Sequence, residues 1–293
     1  MADGALVVDK PAGWTSHDVV NKVRRIAGTK RVGHLGTLDP MATGVLPLLI
    51  GKATRLAQFF LRNEKIYEGV IRFGYATSTY DKEGARLSEA VEVALDADEV
   101  ERLAARFRGT FLQTPPPVSA KKIDGRKAYE LARENKPVDL KPVEVALFAF
   151  DLLAVQGADV RFRAHCTAGT YIRAIAHEMG QAAGCGAFLA DLRRTSSGGF
   201  TEKSARSLDE LERLRSEDRL GEALIPAPAL LPEIPNETVD DMTAARIRQG
   251  RDFPVSPFRT REGRHVKALG SDGSLVAIGE IRMPNLYHPV LVF

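Results

Sequence analysis

The chain has 293 residues, of which 44% are hydrophobic and 27% charged, as in an ordinary globular protein with one large domain or two unequal ones. Its two cysteines, Cys166 and Cys185, exclude a disulfide scaffold and fit a reducing cytoplasm. The apolar runs are too short to cross a bilayer, and we expect no signal peptide. The net charge is only +3, and although the clustered basic residues suit a polyanion such as nucleic acid, solvated surfaces explain them better.

The first half of the chain is predicted to contain both strands and helices. Ser16 is the expected N-cap of the first helix, and Gly28 is the expected stop signal at its end. The apolar pattern predicts, in chain order, a strand from residue 5, a helix at 17–28, a buried strand at 46–51, a short helix at 52–62, a strand at 65–77 and a helix at 96–111. Three consecutive prolines make residues 113–120 extended.

In the second half of the chain, Thr170 is the expected cap of a strongly amphipathic helix. The pattern predicts a helix at 125–136, strands at 143–156 and 158–169, the Thr170-capped helix at 170–184, and a strand or loop beside a site at 188–200. Strands and helices are interspersed without the regular alternation of a doubly wound fold, so we expect a mixed architecture.

A proline-rich region after Leu224 suggests a domain boundary near residue 233. Beyond it, the sequence predicts a short helix at 240–250, strands at 265–270, 275–283 and 288–293, and a hairpin turn at Asp272-Gly273. This pattern indicates a small β-rich module of about 60 residues.

The residue spacing does not match the motifs of several common types of site. The Gly51-Lys52 pair hints at a phosphate loop, but Leu46 stands where that motif needs its first glycine and Ala53 follows the lysine. No GxSxG nucleophile motif occurs, and neither cysteine lies in a catalytic signature. The potential metal ligands of one region lack ligand spacing and are better explained as a buried cysteine and surface histidines; they are His165, Cys166, His177 and Cys185.

The segment VGHLGTLDP, residues 32–40, is the strongest local signal. Asp39 is the only acidic residue between Asp18 and Glu64, and Thr37 and Pro40 restrict its backbone. Glycines in the loop allow a close approach by another backbone. In isolation, a turn explains the segment better than a functional site does. A carboxylate held in this way nevertheless suits a nucleophile or a base that cationic partners keep ionised.

Six segments, in order over about residues 5–200, resemble the bacterial TruB-type tRNA pseudouridine synthases. They are VVDKPAGWTSHDVV, GHLGTLDPMATGVLPLLIGKATRL, KIYEGVIRFGYATSTYDKEG, QTPPPVSAKKIDGRKAYELAR, CTAGTYIRAIAHEMG and LADLRRTSSGGF. The resemblance implies an α+β fold, with a catalytic domain of mixed, mainly antiparallel sheet flanked by helices over 1–232. It also implies a small β-rich, PUA-like RNA-binding domain over 233–293.

The resemblance assigns a role to individual residues. Asp39 matches the essential aspartate, Tyr67 the tyrosine that stacks on the target base, and Arg173 the arginine that pairs with the aspartate. The other expected substrate-binding residues are Tyr171 beside the substrate, Leu192 on the uracil pocket, His34 in the space left by the flipped nucleotide, and Lys10, which with Pro11 supports the active-site loop.

The implied reaction isomerises uridine 55 in the T-loop of tRNA after the base has flipped out. It replaces a carbon–nitrogen bond with a carbon–carbon bond, so we expect no cofactor and no metal. The expected partner is tRNA, through its T-loop and T-stem, with no membrane and a monomeric enzyme. Asp39 attacks the sugar C1′ or acts as a base that starts elimination to a glycal, and the sequence leaves both routes open.

Two other functions compete with this prediction. A non-catalytic tRNA-binding or RNA-folding factor on the same scaffold would have no reason to retain Asp39, Tyr67 and Arg173 together, and all three are present. A guide-RNA-dependent synthase of the related archaeal and eukaryotic type is disfavoured by the compact chain and by the bacterial-style TSTYDKEG segment.

Overall fold

The computed structural model describes residues 3–116, 122–123, 126–127, 141–256 and 263–293. The helices are α1 (Ser16–Ala27), α2 (Ala97–Ala105), α3 (Ile172–Ala182), α4 (Leu208–Ser216) and α5 (Asp241–Arg248). A 3-10 helix covers Gly51–Phe60, and shorter ones cover Glu202–Ser204, Leu220–Ala223 and Ala227–Ala229. None of the helices in these ranges is long and apolar enough to cross a membrane.

Strands dominate the described chain. In order they are β1 (Gly4–Lys10), β2 (Val32–His34), β3 (Thr43–Ile50), β4 (Lys65–Phe73), β5 (Gly109–Gln113), β6 (Lys122–Ile123), β7 (Arg126–Lys127), β8 (Val143–Gln156), β9 (Asp159–Cys166), β10 (Ala187–Ser197), β11 (Phe200–Thr201), β12 (Ile225–Pro226), β13 (Asn236–Thr238), β14 (Phe253–Pro254), β15 (His265–Leu269), β16 (Leu275–Met283) and β17 (Leu286–Val292).

A ten-stranded mixed sheet forms the larger part of the fold. Its order is β12-β1-β3-β10-β4-β9-β8-β5, with β2 beside β3 and β11 beside β10. Its strand pairs are antiparallel except for β10 and β3, which run parallel. The α+β class with a mixed, mainly antiparallel sheet is therefore confirmed.

Helices and the second sheet cover opposite faces of the larger sheet. Alternate residues of β1 point to the two sides, so that Leu6 and Val8 pack with the residues of α1 and α3, while Ala5 and Val7 pack in a second cluster with Ile278. Both sides of β1 are buried, which explains why its sequence is an unbroken apolar run.

The second sheet lies near the end of the chain and has the order β13-β15-β16-β17-β14. The turn between β15 and β16 forms at Asp272-Gly273, as predicted, with Gly273 at φ +76° and the Asp272 carboxylate accepting from the Ser274 amide. Lys267 is buried and donates to the carbonyls of Pro228 and Leu230, which joins the sheet to the chain preceding it.

The expected caps of two helices are wrong by one residue. Thr15, not Ser16, caps α1: its hydroxyl accepts from the Asp18 amide and the Asp18 carboxylate accepts from the Thr15 amide. The backbone of Tyr171, not Thr170, caps α3, since the Thr170 hydroxyl donates to the Thr167 carbonyl instead. In each helix the predicted cap side chain is engaged elsewhere.

Most of the other predicted elements are confirmed, with Gly28 ending α1 at φ +64°. The segment at 188–200 proves to be the central strand β10, and the 52–62 helix is of the 3-10 type. No helix was predicted at the position of α4. The helix expected at 125–136 lies outside the described residues except for Arg126–Lys127, which pair with Lys122–Ile123 as short strands. The extended segment at 113–120 is described only as far as residue 116.

Candidate active site

One cavity of about 440 Å³ lies beside the loop between β2 and β3. Six of the seven predicted site residues line it: His34, Asp39, Tyr67, Tyr171, Arg173 and Leu192. Leu61 also lines the cavity and is 70% exposed, so an apolar side chain marks its opening to solvent. These residues come from five separate segments of the chain, which the fold brings to one place.

Side chains at the end of β1 and the start of α1 hold the loop that carries Asp39. The Lys10 ammonium is buried and donates to the carbonyls of Pro11, Trp14 and Pro40, the last at 3.1 Å. The Ser16 hydroxyl accepts from the Leu38 amide at 2.8 Å and donates to the Leu38 carbonyl at 3.1 Å. These contacts fix the backbone on both sides of Asp39.

Lys10 therefore differs from the other predicted site residues. It does not line the cavity, and its ammonium is occupied by backbone carbonyls of the loop and its surroundings. This position agrees with support of the active-site loop and gives no direct route to a substrate in the cavity.

Arg194 on β10 holds the same loop from the sheet side. Its Nε donates to the Val45 carbonyl at 2.8 Å, and its terminal nitrogens donate to the carbonyls of Gly36 at 3.1 Å and Thr37 at 3.4 Å. Gly44 lies so close to β10 that a Cβ there would be 2.3 Å from the Arg194 carbonyl oxygen, and its φ is +98°. Only glycine fits this position, which explains the glycine that follows the loop.

Asp39 forms a two-point ion pair with Arg173. Nε of Arg173 lies 2.9 Å from Oδ2 of Asp39, and a terminal nitrogen lies 2.9 Å from Oδ1. The other side of the guanidinium faces Asp81 at 3.3 Å and the Thr79 carbonyl at 3.0 Å. Because its planar fork is held by two carboxylates, Arg173 is fixed in orientation and fixes Asp39 in turn.

The protonation of Asp39 reflects competing influences. Burial raises the pKa of Asp39, Arg173 opposes that shift, and the Asp81 charge adds to it. A carboxylate with a raised pKa is more basic than a solvated one, while its ion pair favours the ionised form. Both properties suit a nucleophile or a general base.

Tyr67 and Leu192 form an apolar wall of the cavity on adjacent strands. Tyr67 lies opposite Arg194 in the β4–β10 register, and the Arg194 charge acts on its phenol. Leu192 is two residues before Arg194 on the same strand, and its side chain is buried. An aromatic ring beside an aliphatic side chain provides a surface on which a planar base can stack.

His34 and Tyr171 lie at other parts of the cavity lining. His34 ends β2, directly before the Asp39 loop. Tyr171 precedes α3, and the buried Gln113 side chain binds both its backbone groups, accepting from the amide at 2.8 Å and donating to the carbonyl at 3.1 Å. Gln113 thus fixes the backbone of the residue before α3 and positions the turn that leads into Arg173.

Sequence reasoning missed Asp81, Gln113, Arg194 and Lys65, all of which shape the site. Lys65 lines the cavity, is 6% exposed, and donates to the Asn63 carbonyl. Asp81 and Arg194 were part of quoted motifs but received no role, since their importance depends on contacts with residues more than 90 positions away.

The potential metal ligands do not assemble. Within the described ranges, no group of three His, Cys, Asp or Glu residues is placed to hold a metal ion. Cys166 is buried on β9, and burial raises the pKa of its thiol to about 11. His177 on α3 stacks on Tyr80, with ring centroids 3.7 Å apart.

The fold is similar to that of two solved structures. A structure of an H/ACA RNP bound to a substrate RNA containing 2′-deoxyuridine superimposes with a TM-score of 0.72 at 26% identity, covering 99% of this chain and 84% of that one. A Cbf5-Nop10-Gar1 complex gives a TM-score of 0.70 at 26% identity, covering 96% and 78%.

Sequence comparisons define the family. The family model described as TruB family pseudouridylate synthase (N terminal domain) matches residues 24–172, and the one described as tRNA pseudouridylate synthase B C-terminal domain matches 173–232. Proteins named tRNA pseudouridine synthase B are 60% identical in Solibacter usitatus, covering 99% of both chains, and 38% identical in Aquifex aeolicus, covering 96% of both. The chain belongs to the TruB family of tRNA pseudouridine synthases, which are isomerases.

Proposed function

We propose that this enzyme converts uridine 55 in the T-loop of tRNA to pseudouridine, with Asp39 as the reacting carboxylate. The observation that carries the proposal is the two-point ion pair between Asp39 and Arg173 at the wall of a cavity of about 440 Å³. A cavity of that size is in the range of sites for small molecules. It is therefore large enough for one nucleotide taken out of the RNA.

Base flipping is required because the sugar and base of a stacked nucleotide cannot reach a carboxylate inside a cavity. Tyr67 and Leu192 offer the detached base a flat apolar surface. Stacking on an aromatic ring contributes about 1–3 kcal/mol per base, which offsets part of the unstacking energy. His34 and Tyr171, at other parts of the lining, are suited to contact the RNA around the flipped nucleotide.

The chemistry begins with cleavage of the bond between C1′ and N1. Asp39 either attacks C1′ and forms an ester, or removes the 2′ proton so that a glycal forms. Arg173 holds both carboxylate oxygens and so limits the rotation of Asp39 in either route. The uracil then turns within the cavity and bonds to C1′ through C5. In the first route this displaces the Asp39 carboxylate from C1′, and in the second Asp39 returns the proton to C2′. C5 finally loses its proton as N1 gains one.

The chain is proposed to have a catalytic domain over 1–232 and a PUA-like RNA-binding domain over 233–293. The five-stranded sheet between Asn236 and Val292 supports this division. The exposed Arg246 and Arg248 of α5, with Arg251 beyond it, offer cations for phosphates. We propose further that the enzyme acts as a monomer on the T-loop and T-stem, in the cytoplasm where its tRNA substrate resides.

An unmodified tRNA transcript tests the proposed function. The pure protein is incubated with the transcript, without metal or nucleotide, and pseudouridine is mapped along the strand. We expect one product at position 55, and none in a transcript that carries cytidine there. Modification of a different uridine, or binding without any product, would contradict the proposal.

A further inference from the structure

Two buried cations in the cavity lining have no carboxylate partner among the residues that the structure describes. The side chain of Arg194 is 1% exposed and that of Lys65 6% exposed, and both line the cavity that contains Asp39. Their hydrogen bonds go to backbone carbonyls: Arg194 donates to those of Val45, Gly36 and Thr37, and Lys65 donates to that of Asn63. Among the described residues, the ion pairs of the protein include neither side chain.

Arg173, by contrast, is a cation of the same cavity whose charge is neutralised by carboxylates. It faces Asp39 and Asp81 together, so its charge is more than balanced. Arg194 and Lys65 repel each other instead, and burial together with the Arg194 charge lowers the pKa of Lys65 to about 8. Buried unpaired charge is unfavourable, so its presence in a reaction cavity indicates a ligand that carries negative charge.

The two cations lie at the end of the cavity where the base is proposed to stack. Arg194 is opposite Tyr67 in the strand register and follows Leu192 by two residues. Lys65 precedes Tyr67 by two residues on β4, so it projects to the same side of the sheet. A phosphate, which remains in the RNA backbone, has little access to side chains that are 1% and 6% exposed.

We propose that Arg194 and Lys65 form a cationic floor that stabilises the uracil anion formed during the reaction. The inference rests on the proposed function of Asp39. When the C1′–N1 bond breaks, its electron pair stays on N1 and spreads to O2 and O4 of the ring, so the detached uracil carries one negative charge. That charge disappears when C5 bonds to C1′ through the ring electrons and N1 recovers a proton as C5 loses one. Cations already in place require no reorganisation.

Leaving-group dependence tests the cationic floor. Single-turnover loss of the target nucleoside is measured at saturating enzyme on two tRNA transcripts, with uridine or 5-fluorouridine at the target position, by nuclease digestion and chromatography of the nucleosides. Loss of the starting nucleoside is the readout for both, because C5 of 5-fluorouracil carries fluorine and has no proton to lose in the last step. Fluorine withdraws electrons, so 5-fluorouracil needs less help as an anion. We expect Lys65→Met to slow uridine conversion by about 10- to 100-fold and fluorouridine conversion much less, with the dissociation constant for tRNA unchanged.

Three comparisons isolate the charge. Lys65→Arg keeps it and should retain the wild-type ratio of the two rates. Arg194→Lys also keeps the charge but loses the fork that binds the loop, so both rates should fall together with the same ratio. Lys22→Met removes a cation outside the cavity, where Lys22 pairs with Glu212, and should change neither rate.

Each result decides between the explanations. Equal slowing of both substrates in Lys65→Met would overturn the cationic floor, and so would weaker tRNA binding that accounts for the whole loss, since this would assign Lys65 to a phosphate. A wild-type enzyme that leaves the uridine at position 55 unmodified would contradict the proposed function and the floor with it. An active wild-type enzyme with an unchanged ratio in Lys65→Met would contradict the floor alone.

Discussion

Arg173 binds Asp39 through two nitrogens, with Nε 2.9 Å from Oδ2 and a terminal nitrogen 2.9 Å from Oδ1. The two residues are separated by 134 positions in the chain. Asp81 faces the same guanidinium at 3.3 Å, so a cation with two acids controls the orientation and the charge of Asp39. Loss of Arg173 and loss of Asp81 should therefore have opposite effects on Asp39.

Arg173 and Asp81 should shift the acid limb of the pH profile in opposite directions. Arg173 lowers the pKa of Asp39 and Asp81 raises it, and Asp39 must be ionised to react. As pH falls, the residual rate of Arg173→Gln should therefore begin to drop at a higher pH than that of wild type, and the rate of Asp81→Asn at a lower pH. Single-turnover rates between pH 4.5 and 8 measure this, with Arg173→Lys as the charge-retaining control. Shifts in the same direction would contradict the electrostatic account.

Tyr67 should act through its ring rather than through its hydroxyl. Tyr67→Phe keeps the stacking surface and loses only the hydroxyl near Arg194, so we expect a rate within about tenfold of wild type. Tyr67→Ala should lose about 1–3 kcal/mol of stacking, or roughly 5- to 150-fold in rate. The matched control is Phe73→Ala on the same strand, which also empties a buried position but lies outside the cavity lining. Equal rates for the two Tyr67 variants would remove stacking from the account.

Lys65 should make the folded protein less stable than a neutral side chain at the same position would. Burial lowers its pKa to about 8 from 10.5, so the folded protein binds fewer protons than the unfolded chain between those values, and stability rises with pH there. Below pH 8 the buried charge is unfavourable. At pH 7, the free energy of unfolding of Lys65→Met should therefore exceed that of wild type by about 2 kcal/mol, after allowing for the lost hydrogen bond. Urea unfolding measures this as a higher midpoint concentration.

The stability gain from Lys65→Met should diminish between pH 8 and pH 10, because the wild-type lysine is then neutral when folded. Lys22→Met, which removes a partly exposed lysine of a surface ion pair, should change stability by less than about 1 kcal/mol. A Lys65→Met protein that is less stable than wild type at pH 7 would show that Lys65 has a structural role.

The cations of α5 should affect RNA binding and not the chemical step. Arg246→Gln and Arg248→Gln alter exposed side chains of α5. Each should weaken tRNA binding and reduce the slope of log K against log salt by about 1 if it contacts a phosphate, while the rate at saturating enzyme stays unchanged. Arg215→Gln, an exposed arginine of α4, is the control. An unchanged salt slope in both variants would exclude this face from the RNA contact.

Deleting the C-terminal residues is a poorer test of RNA binding. Leu275, Ile278 and Leu291 of the second sheet pack in one apolar cluster with Ala5 and Val7 of β1. Removal after residue 232 would expose this cluster and destabilise the remaining chain. Point substitutions on the exposed helix face avoid that loss.

The sequence predicted most elements because their apolar periodicity is strong. The stripe of Val19, Val20 and Val23 indicates α1, and all three are buried. The predicted cap residues were wrong because contacts with residues distant in sequence determine where these helices begin. Ser16 binds Leu38, and Gln113 binds the backbone of Tyr171. Nothing local in the sequence reveals such partners.

The order of six motifs predicted the residues of the site. It did not predict which charged side chains surround Asp39 and the cavity. Asp39 and Arg173 were expected to pair, but Asp81 could not be recognised as the third member, since it lies in a turn-like segment far from both in sequence. Arg194 resembled one more surface arginine of a basic cluster until its burial and its three carbonyl partners were visible.

The most direct measurement is pseudouridine formation by Asp39→Asn on an unmodified tRNA transcript under single-turnover conditions. The amide keeps the size of the side chain and loses the charge that Arg173 binds. The account predicts a variant that still folds and binds tRNA, with no detectable pseudouridine at position 55. Product at a rate near that of wild type would contradict the assignment of Asp39 as the reacting carboxylate.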